Sequence, residues 1–577
     1  MLIKINEIMD AILPQSQNKK EGNIFKAGIE RKDILLVFLM LICAMIAFHG
    51  MLLTNRSIIW DGLLWHHLLK VKDYTTHFWA GFQMGRFDGI YIGSYIYNNF
   101  DDYLFAFRTC NFLMIFLSSL AIFYISYSIL EQSLFTSFIS FCLFCAQPFC
   151  DLTPDFAIMV NYIYLALFLV GNSSLARFFF QKESSLLAVI ISLLLCRISF
   201  TMSSLLVMEG PIILFFGLAA YRDKRKVIPL VILIVTILFV FFTSRKPFGI
   251  YEGYNQINPD FFVRSIGISI IEILRVFKYT VQKLPFPDIT SFLFGSFMSI
   301  FLGLGIFYFK KNIKSYPESH KSLAFSIVLL VFSILLSFCA IFPYVVVGKF
   351  PRPYTVDSRN AILFTCSIPF LYIGFRSLLK YIPLRINIQL FFDRAVLAII
   401  VAMVFINVTN YVEWDFDNYK RHAFISVLKD NISELEKCDL IAFGDKTTLK
   451  NKENRAHLDV YEWASYLSDV MGSEKMVVGL DIADARKNSK NLNELRSKNK
   501  REFENMSRIF IASDYAGGDR PCEVVFYNKG IIDRTLSSYL EMKKNELFMP
   551  EKMQEQIKFW FSARISRTDF QVKRGVL

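Results

Sequence analysis

The stretch RKDILLVFLMLICAMIAFHGMLL, residues 31–53, decides the fold of this chain. It opens with three charged residues and continues over residues 34–53 without any Asp, Glu, Lys or Arg. An apolar run of about 18 or more residues is long enough to cross a bilayer as a helix. Because the run is longer than the apolar core of a signal peptide, we predict an uncleaved first transmembrane helix.

Similar apolar runs recur and predict about eleven membrane-spanning helices. Hydrophobic residues make up 54% of the 577 residues, and Phe alone occupies 60 positions, which exceeds the usage of ordinary soluble proteins. The predicted spans are residues 34–53, 110–129, 134–149, 156–170, 186–203, 205–221, 227–242, 291–309, 323–347, 361–379 and 395–408. The predicted fold class is therefore an α-helical polytopic membrane protein.

Every second loop between these spans is rich in Lys and Arg, and such short basic loops remain in the cytoplasm. The residues concerned are Arg31, Lys32, Arg177, Lys182, Arg222, Lys224, Arg225, Lys226, Lys310, Lys311, Lys314, Arg376, Lys380 and Arg394. The N-terminus is thus predicted to lie inside and, with an odd number of spans, the C-terminus outside. The net charge of +13 is explained by this orientation, and no nucleic-acid partner is expected.

The pattern divides the chain into a cytoplasmic segment, residues 1–32, a multi-span domain, residues 33–412, and a soluble extracytoplasmic domain, residues 413–577. In the last part, short apolar runs alternate with helical stretches, one of them over residues 421–437, which predicts a small α/β domain. Long outer loops cover residues 54–108 and 243–290. The second contains an amphipathic helix, predicted to lie along the outer membrane surface, with apolar residues at Ile266, Ile270, Ile273, Leu274, Phe277, Val281 and Leu284.

Eight of the 10 Cys lie in or beside apolar runs, where they are expected to pack as small hydrophobic residues. Cys142 and Cys145 form a C-x-x-C pair, but inside a predicted span packing is the simpler interpretation. Cys438 and Cys522 lie in the soluble part and could form a disulfide in an oxidising compartment.

Asp61, just after the first span, is the first candidate catalytic residue. A carboxylate beside the membrane can accept a proton from an attacking hydroxyl group. The simpler alternative is a helix N-cap, since a short helix is predicted to begin at Gly62. His66 and His67 follow, but adjacent histidines point to different faces of a helix, which favours a structural role over joint metal binding.

Further charged residues are predicted near the outer ends of the spans. Asp101 and Asp102 precede the second span and are alternatives to Asp61. The candidates for a polar cavity are Arg86, Asp88, Asp155, Arg197 and Glu209. Arg197 and Glu209 lie within adjacent spans, where charges either pair with each other or line a cavity. Both interpretations stay open for this pair.

Lys349, Arg352 and Arg359 form a basic cluster in a short outer loop. A guanidinium group suits phosphate oxygens, so the cluster could hold a lipid phosphate or pyrophosphate. The alternative is general attraction to anionic lipid headgroups. A basic outer loop runs against the usual charge distribution of membrane proteins, which favours a specific role.

This arrangement resembles the GT-C class of membrane glycosyltransferases. Asp61 occupies the position of the acidic residue in that class's long first outer loop. The stretch from Phe342-Pro343-Tyr344 to Arg359 resembles the late outer loop whose basic residues bind the lipid phosphate. The chain lacks the paired Asp-Glu or Asp-Asp that many members carry directly after the first span.

The resemblance implies inverting transfer of a sugar from a polyprenyl-phosphate donor to a glycan, lipid or protein acceptor. Membrane lipid is a further expected partner, no cofactor is assigned, and a divalent cation remains open. The alternatives are a polymerase of lipid-linked glycans, a flippase or transporter for them, and a membrane scaffold. The sequence has no P-loop, G-x-S-x-G or H-E-x-x-H motif, which excludes several common pumps and hydrolases. The composition, rich in Lys, Asn, Ile and Phe, favours a bacterial inner membrane.

Overall fold

The computed structural model describes residues 31–59, 61–70, 87–146, 152–155, 158–181, 185–243, 257, 259–282, 289–312, 322–353, 356–382, 388–436, 440–445, 460–471, 479–481 and 521–526. Cys438, Arg86 and Leu284 lie outside these residues. The side chains of Asp61 and Asp88 are likewise outside the description, although both residues lie in helices.

Helices dominate the described part of the chain. They are α1 (Arg31–Thr54), α2 (Asp61–Lys70), α3 (Phe87–Asn99), α4 (Tyr103–Tyr124), α5 (Leu134–Ala146), α6 (Met159–Gln181), α7 (Leu186–Ser199), α8 (Ser203–Arg222), α9 (Val227–Thr243), α10 (Pro259–Gln282), α11 (Ile289–Asn312), α12 (Leu323–Val345), α13 (Ser367–Leu379), α14 (Ile388–Asp430), α15 (Ile432–Leu435) and α16 (Val460–Met471). A π-helical turn, Ile125–Ile129, extends α4, and a 3-10 helix, Val356–Cys366, leads into α13.

The protein is a helical, multi-pass membrane protein, as the apolar runs predict. Within the described residues, nine helices are long and apolar enough to cross a membrane. The other two predicted spans, residues 134–149 and 186–203, are helices of 13 and 14 residues. Large apolar side chains, among them Leu186, Phe242 and Phe391, are exposed on the outside of the bundle, where lipid replaces water as the solvent.

The last span is longer than predicted. α14 continues for 43 residues, about 65 Å, which is roughly twice the thickness of the apolar core of a bilayer. The boundary predicted between residues 412 and 413 therefore falls inside a helix, and the separate helix predicted over residues 421–437 is wrong at its start. The physical reason is that residues 388–430 contain neither Gly nor Pro. The polar residues that follow the span continue the same helix to Asp430.

Consecutive spans alternate in direction, so their ends lie at two opposite ends of the helix bundle. At one end, Asn55 follows α1 and donates from Nδ2 to the carbonyl oxygen of Tyr411 at 3.0 Å. Asn407, also on α14, donates to the carbonyl oxygen of Ala146 at 3.0 Å. We call this end, where α1 ends and α2 begins, the site end.

The basic loops of the sequence lie at the opposite end. Lys226 donates to the carbonyl oxygen of Phe179 at 2.6 Å, which joins the α8–α9 turn to the end of α6. Lys310 lies over the ring of Phe135 with its Nζ 5.4 Å from the ring centroid. This distribution of cations is consistent with the predicted orientation, which stays a prediction.

Three short strands follow the long helix: β1 (Leu440–Asp445), β2 (Gly479–Asp481) and β3 (Pro521–Phe526). They form a parallel sheet in the order β2-β1-β3. Helix α16 lies between β1 and β2 in the chain and packs against α2 and α14. The C-terminal part therefore contacts the site end of the bundle.

Helices α6 and α7 pack closely at Gly171. A Cβ atom there would lie 2.8 Å from the Sγ atom of Cys196 and 3.1 Å from the carbonyl oxygen of Ser192. We expect Gly171→Ala to destabilise the protein by about 1–3 kcal/mol, because backbone atoms of α7 must move. Gly217→Ala is the control, since nothing lies within 4 Å of its Cβ position. In thermal unfolding measured in detergent, Gly171→Ala should have a lower midpoint temperature than the wild type, and Gly217→Ala should not. Equal midpoint temperatures in the two variants would contradict the close packing.

Candidate functional site

A buried polar cluster lies at the site end, where the first and last spans meet. His49 of α1 is fully buried, and its Nε2 lies 2.6 Å from the carbonyl oxygen of Cys145. Because a carbonyl oxygen only accepts, Nε2 of the neutral ring carries the proton. Nδ1 then accepts from the hydroxyl group of Tyr411 at 2.5 Å. One imidazole thus joins α1, α5 and α14.

The segment that leaves α1 is fixed by its own polar groups. Asn55 Oδ1 accepts from the backbone N–H of Ser57 at 3.0 Å. The backbone N–H of Arg56 donates to Asp415 Oδ1 on α14 at 3.4 Å. These hydrogen bonds therefore fix the backbone conformation of residues 55–57, shortly before Asp61.

Arg108 lies at the centre of the cluster and is the residue that sequence reasoning missed. Its side chain is fully buried, and Nη2 donates to the carbonyl oxygen of Ser57 at 2.5 Å. The charges of Asp155 and Asp415 act on its guanidinium group. Nε and Nη1 have no hydrogen-bond partner among the described residues. The available signal was a cation two residues before a predicted span, at the border of the outer loop.

An irregular buried segment, residues 152–155, forms the other wall of the cluster. Asn111 donates to the carbonyl oxygen of Thr153 at 3.0 Å, and the Thr153 hydroxyl lies 3.0 Å from that of Tyr162. Asp155 is fully buried here, and its role in a polar cavity stays a prediction. Non-helical backbone is tolerated at membrane depth only where protein surrounds it or where it lines a cavity. Residues 152–155 are buried, so the protein surrounds this non-helical backbone.

The three predicted acidic candidates take different positions. Asp61 is the first residue of α2, and the N–H of Gly62 donates to the carbonyl oxygen of Ile59 at 2.9 Å. Asp101 is exposed. Asp102 is the N-cap of α4, where it accepts from the N–H of Phe105 at 3.0 Å.

Asp102 is also held in an ion pair. Arg56 Nη1 lies 2.5 Å from both carboxylate oxygens. The hydrogen bond from Arg56 lowers the pKa of Asp102, partial burial opposes this shift, and the Phe105 N–H adds to it. A carboxylate with a lowered pKa is a weaker proton acceptor, so Asp102 suits a structural role better than a catalytic one.

Arg197 and Glu209 do not form the ion pair considered from the sequence. Glu209 is fully buried and accepts from Asn172 Nδ2 at 2.8 Å. Arg197 instead lies over the ring of Phe239, 5.9 Å from its centroid. Glu209 Oε1 has no partner within the described part of the chain, which leaves the cavity interpretation open for Glu209.

The basic loop lies between α12 and the 3-10 helix at the site end. Gly348 has a φ angle of +77° and its N–H bonds to the carbonyl oxygen of Val345 at 2.9 Å, which ends α12. Lys349 follows, Arg352 is exposed, and Arg359 is half-buried on the 3-10 helix. The loop thus presents cationic groups to the outside of the bundle.

Helix α10 flanks this loop, as the predicted surface helix. Phe262 contacts Phe342 and Phe277 contacts Phe364, each pair with ring centroids 5.6 Å apart. These contacts join α10 to both sides of the basic loop. The two phenylalanines of α10 are 15 positions apart, so most of its length runs beside the loop.

The surface of α10 has three faces rather than the predicted two. One face is apolar and exposed, with Val263, Ile266, Ile270, Leu274, Phe277 and Val281. A second is basic and exposed, with Arg264, Arg275 and Lys278. The third faces the protein and carries small or polar residues, with Ser265, Ser269, Glu272, Val276 and Thr280 buried. An apolar face with cations beside it is typical of a helix in the lipid headgroup region.

A second polar centre, which we call the Asp469 node, consists of His66, Lys70, Arg421 and Asp469. Lys70 donates to Asp469 Oδ1 at 2.5 Å, and His66 Nε2 lies 3.2 Å from the same oxygen. Arg421 donates to Oδ2. The node joins α2, α14 and α16.

The carboxylate of this node is strongly stabilised in its charged form. Burial alone would raise the pKa of Asp469, but the hydrogen bond from His66, the charge of Arg421 and the hydrogen bond from Lys70 hold it well below its usual value. Burial lowers the pKa of His66, with the charges of Arg421 and Lys70 acting in the same direction, while Asp469 opposes the shift. The neutral imidazole donates to Asp469 and accepts from Tyr103 Oη at 2.6 Å.

Acidification should therefore loosen the contact between α2 and α16. A lowered pKa in the folded state means that the contribution of His66 is complete above its ordinary pKa of 6.5 and is lost as the pH falls below it. We expect hydrogen exchange of residues 61–70, corrected for intrinsic rates, to increase between pH 7.5 and pH 5.5. His66→Gln cannot titrate in this range and is the control. An equal pH response in both proteins would contradict this assignment.

No group of three or more His, Cys, Asp or Glu side chains suited to a metal ion occurs among the residues that the structure describes. Cys142 and Cys145 are buried free thiols, as their apolar setting predicts. His67 is buried inside the protein.

Comparisons with protein-family models, with curated proteins and with solved structures found no match for this chain. The assignment of a function therefore rests on its own residues and their geometry.

Proposed function

We propose that this protein is a membrane glycosyltransferase that transfers a sugar from a polyprenyl-phosphate donor to a glycan, lipid or protein acceptor at the outer face of a bacterial inner membrane. The observation that carries the proposal is the position of Asp61. It is the first residue of α2 and follows a segment that Asn55, Arg108 and Asp415 hold in place. A general base must be held in place before the reaction begins.

In the proposed reaction, Asp61 accepts the proton of an acceptor hydroxyl group. The hydroxyl oxygen forms a bond to the anomeric carbon, and the bond between that carbon and the donor phosphate breaks. The phosphate leaves with the electron pair as polyprenyl phosphate. Because no covalent enzyme intermediate forms, the anomeric configuration inverts.

Arg352 and Arg359 are proposed to hold the donor phosphate, with Lys349 beside them. The support is their position in the loop that follows α12 and at the start of the 3-10 helix, next to helix α10. A polyprenyl chain in the membrane would place its phosphate at the headgroup level, where we expect the basic face of α10 to lie as well. Guanidinium groups at this level of the membrane can bind the phosphate oxygens directly.

We further propose that residues 413–577 contain a small α/β domain outside the membrane. The support is the order β1, α16, β2 in the chain and the parallel pairing of β1 with β2 and β3. Parallel strands joined through a helix are the basic unit of α/β domains. The α2 contact of α16 would place this domain over the site end.

The test is transfer of label from a panel of radioactive polyprenyl-phosphate sugars by the purified protein in lipid nanodiscs. Consumption of one donor in the presence of an acceptor extract supports the proposal. The competing function is transport of a lipid-linked glycan. If no donor is consumed while proteoliposomes move such a glycan across the bilayer, the proposal is wrong and transport is the better account.

A further inference from the structure

The Asp469 node joins parts of the chain that are far apart in sequence. Asp469 lies on α16, whereas His66 and Lys70 lie on α2, about 400 positions earlier. Arg421 lies on the part of α14 that continues beyond the predicted span. A single carboxylate therefore accepts from both elements that flank the site end.

Helix α2 needs such contacts because it is short. It has 10 residues, and isolated helices below about 12–15 residues are marginal in water. Leu63, Leu68 and Leu69 are buried and anchor the helix by apolar packing. His66 and Lys70 anchor it through their contacts with Asp469.

The charges make this contact specific. The side chain of Asp469 is 11% exposed, and that of Arg421 is 7% exposed and lies over the ring of Tyr466. Without the carboxylate, the buried Arg421 and the partly exposed Lys70 would lose the acceptor that they share. Removing one partner of a buried ion pair leaves the other charge uncompensated.

We propose that Asp469 is a positioning residue: it docks the C-terminal part of the chain on α2 and thereby fixes the helix that begins at Asp61. His66 lies five positions after Asp61, about 7.5 Å along the helix axis. Loss of the node would let α2 fray from its C-terminal half and move its first residue. The catalytic consequence rests on the proposed function, whereas the docking does not.

Hydrogen exchange tests the docking without any substrate. Asp469→Asn is expected to increase exchange of residues 61–70 by about tenfold or more, since those amides would open locally. Asp393→Asn is the matched control. Asp393 is a buried carboxylate on the same helix as Arg421, accepts from Tyr372 at 2.9 Å and from Arg376 at 3.0 Å, and belongs to the opposite end. Asp469→Glu, which keeps the charge, should restore most of the protection.

Unchanged exchange in Asp469→Asn would overturn the proposal, as would an equal increase in Asp393→Asn. Should Asp469→Asn fail to fold, Lys70→Gln removes one donor from a side chain that is 36% exposed. It is expected to increase exchange at residues 61–70 to a smaller extent. Hydrogen exchange at the wild-type rate in Lys70→Gln would contradict the proposed role of the Asp469 node.

The activity assay tests the positioning role. Asp469→Asn is expected to lower kcat about 10- to 100-fold with little change in KM for the donor, because a displaced base slows the chemical step without removing a donor contact. Recovery in Asp469→Glu supports the role. If exchange rises while kcat stays at the wild-type value, the positioning role is wrong. If the wild type transfers no sugar, the proposed function fails, and the exchange experiment still decides the docking.

Discussion

Asp61→Asn is expected to reduce sugar transfer by roughly 100- to 10,000-fold, the range attributed to a positioned general base. Asparagine has nearly the same shape as aspartate, so the fold should be preserved. The loss should appear in kcat, because proton acceptance contributes only in the transition state. The measurement is transfer of radioactive sugar by purified wild-type and variant proteins in nanodiscs.

Asp102→Asn is the matched control for this experiment. The Asp102 carboxylate is already occupied by Arg56 and by the first turn of α4. Its loss should cost about 1 kcal/mol or less of stability, since the ion pair is exposed to solvent, and should leave kcat within a few-fold of wild type. Full activity of Asp61→Asn, or equal losses in both variants, would contradict the assignment of Asp61 as the base.

The membrane fold could be predicted because lipid imposes a strong and local constraint. A helix such as α1 satisfies its backbone within the segment, so a run of apolar residues is enough to identify it. The boundaries of the helices were harder to predict. α4 begins at Tyr103 rather than at residue 110, because Asp102 caps it and Arg108 is buried by tertiary contacts.

The candidate site was predictable only in part. Asp61 and the basic loop could be proposed because they lie next to predicted spans, and that position is readable from the sequence. The Asp469 node could not be predicted, because Asp469 is one of two acidic residues in an amphipathic helix and nothing in the sequence distinguishes it. Only the fold brings it to His66, which is 403 positions away.

Burial also changed the interpretation of single charges. Glu209 and Arg197 were natural partners by sequence, being joined by a short turn. In the structure, Glu209 turns towards Asn172 on α6, and Arg197 stacks on Phe239 of α9. A third helix can offer either side chain a better partner, and sequence spacing contains no information about that helix.

Arg108→Gln is expected to lower the free energy of unfolding by about 1–3 kcal/mol, the usual cost of leaving a buried acceptor without its donor. The substitution leaves Asp155 and Asp415 with less opposing charge and removes the donor to the Ser57 carbonyl oxygen. Unfolding in detergent measures the loss. Arg56→Gln is the control, because its ion pair lies at the same end but is 40% and 48% exposed, and its loss should cost about 1 kcal/mol or less.

A double-mutant cycle identifies the partner of Arg108. If Asp155 compensates the guanidinium charge, Arg108→Gln combined with Asp155→Asn should cost less than the sum of the two single changes, with a coupling of about 0.5–3 kcal/mol. Additive costs would mean that Asp155 stabilises something else. Wild-type stability of Arg108→Gln would mean that the cluster is hydrated and that Arg108 serves a ligand rather than the fold. In that case its Nε and Nη1 atoms, which have no hydrogen-bond partner in the described part of the chain, are the first groups to test for substrate contact.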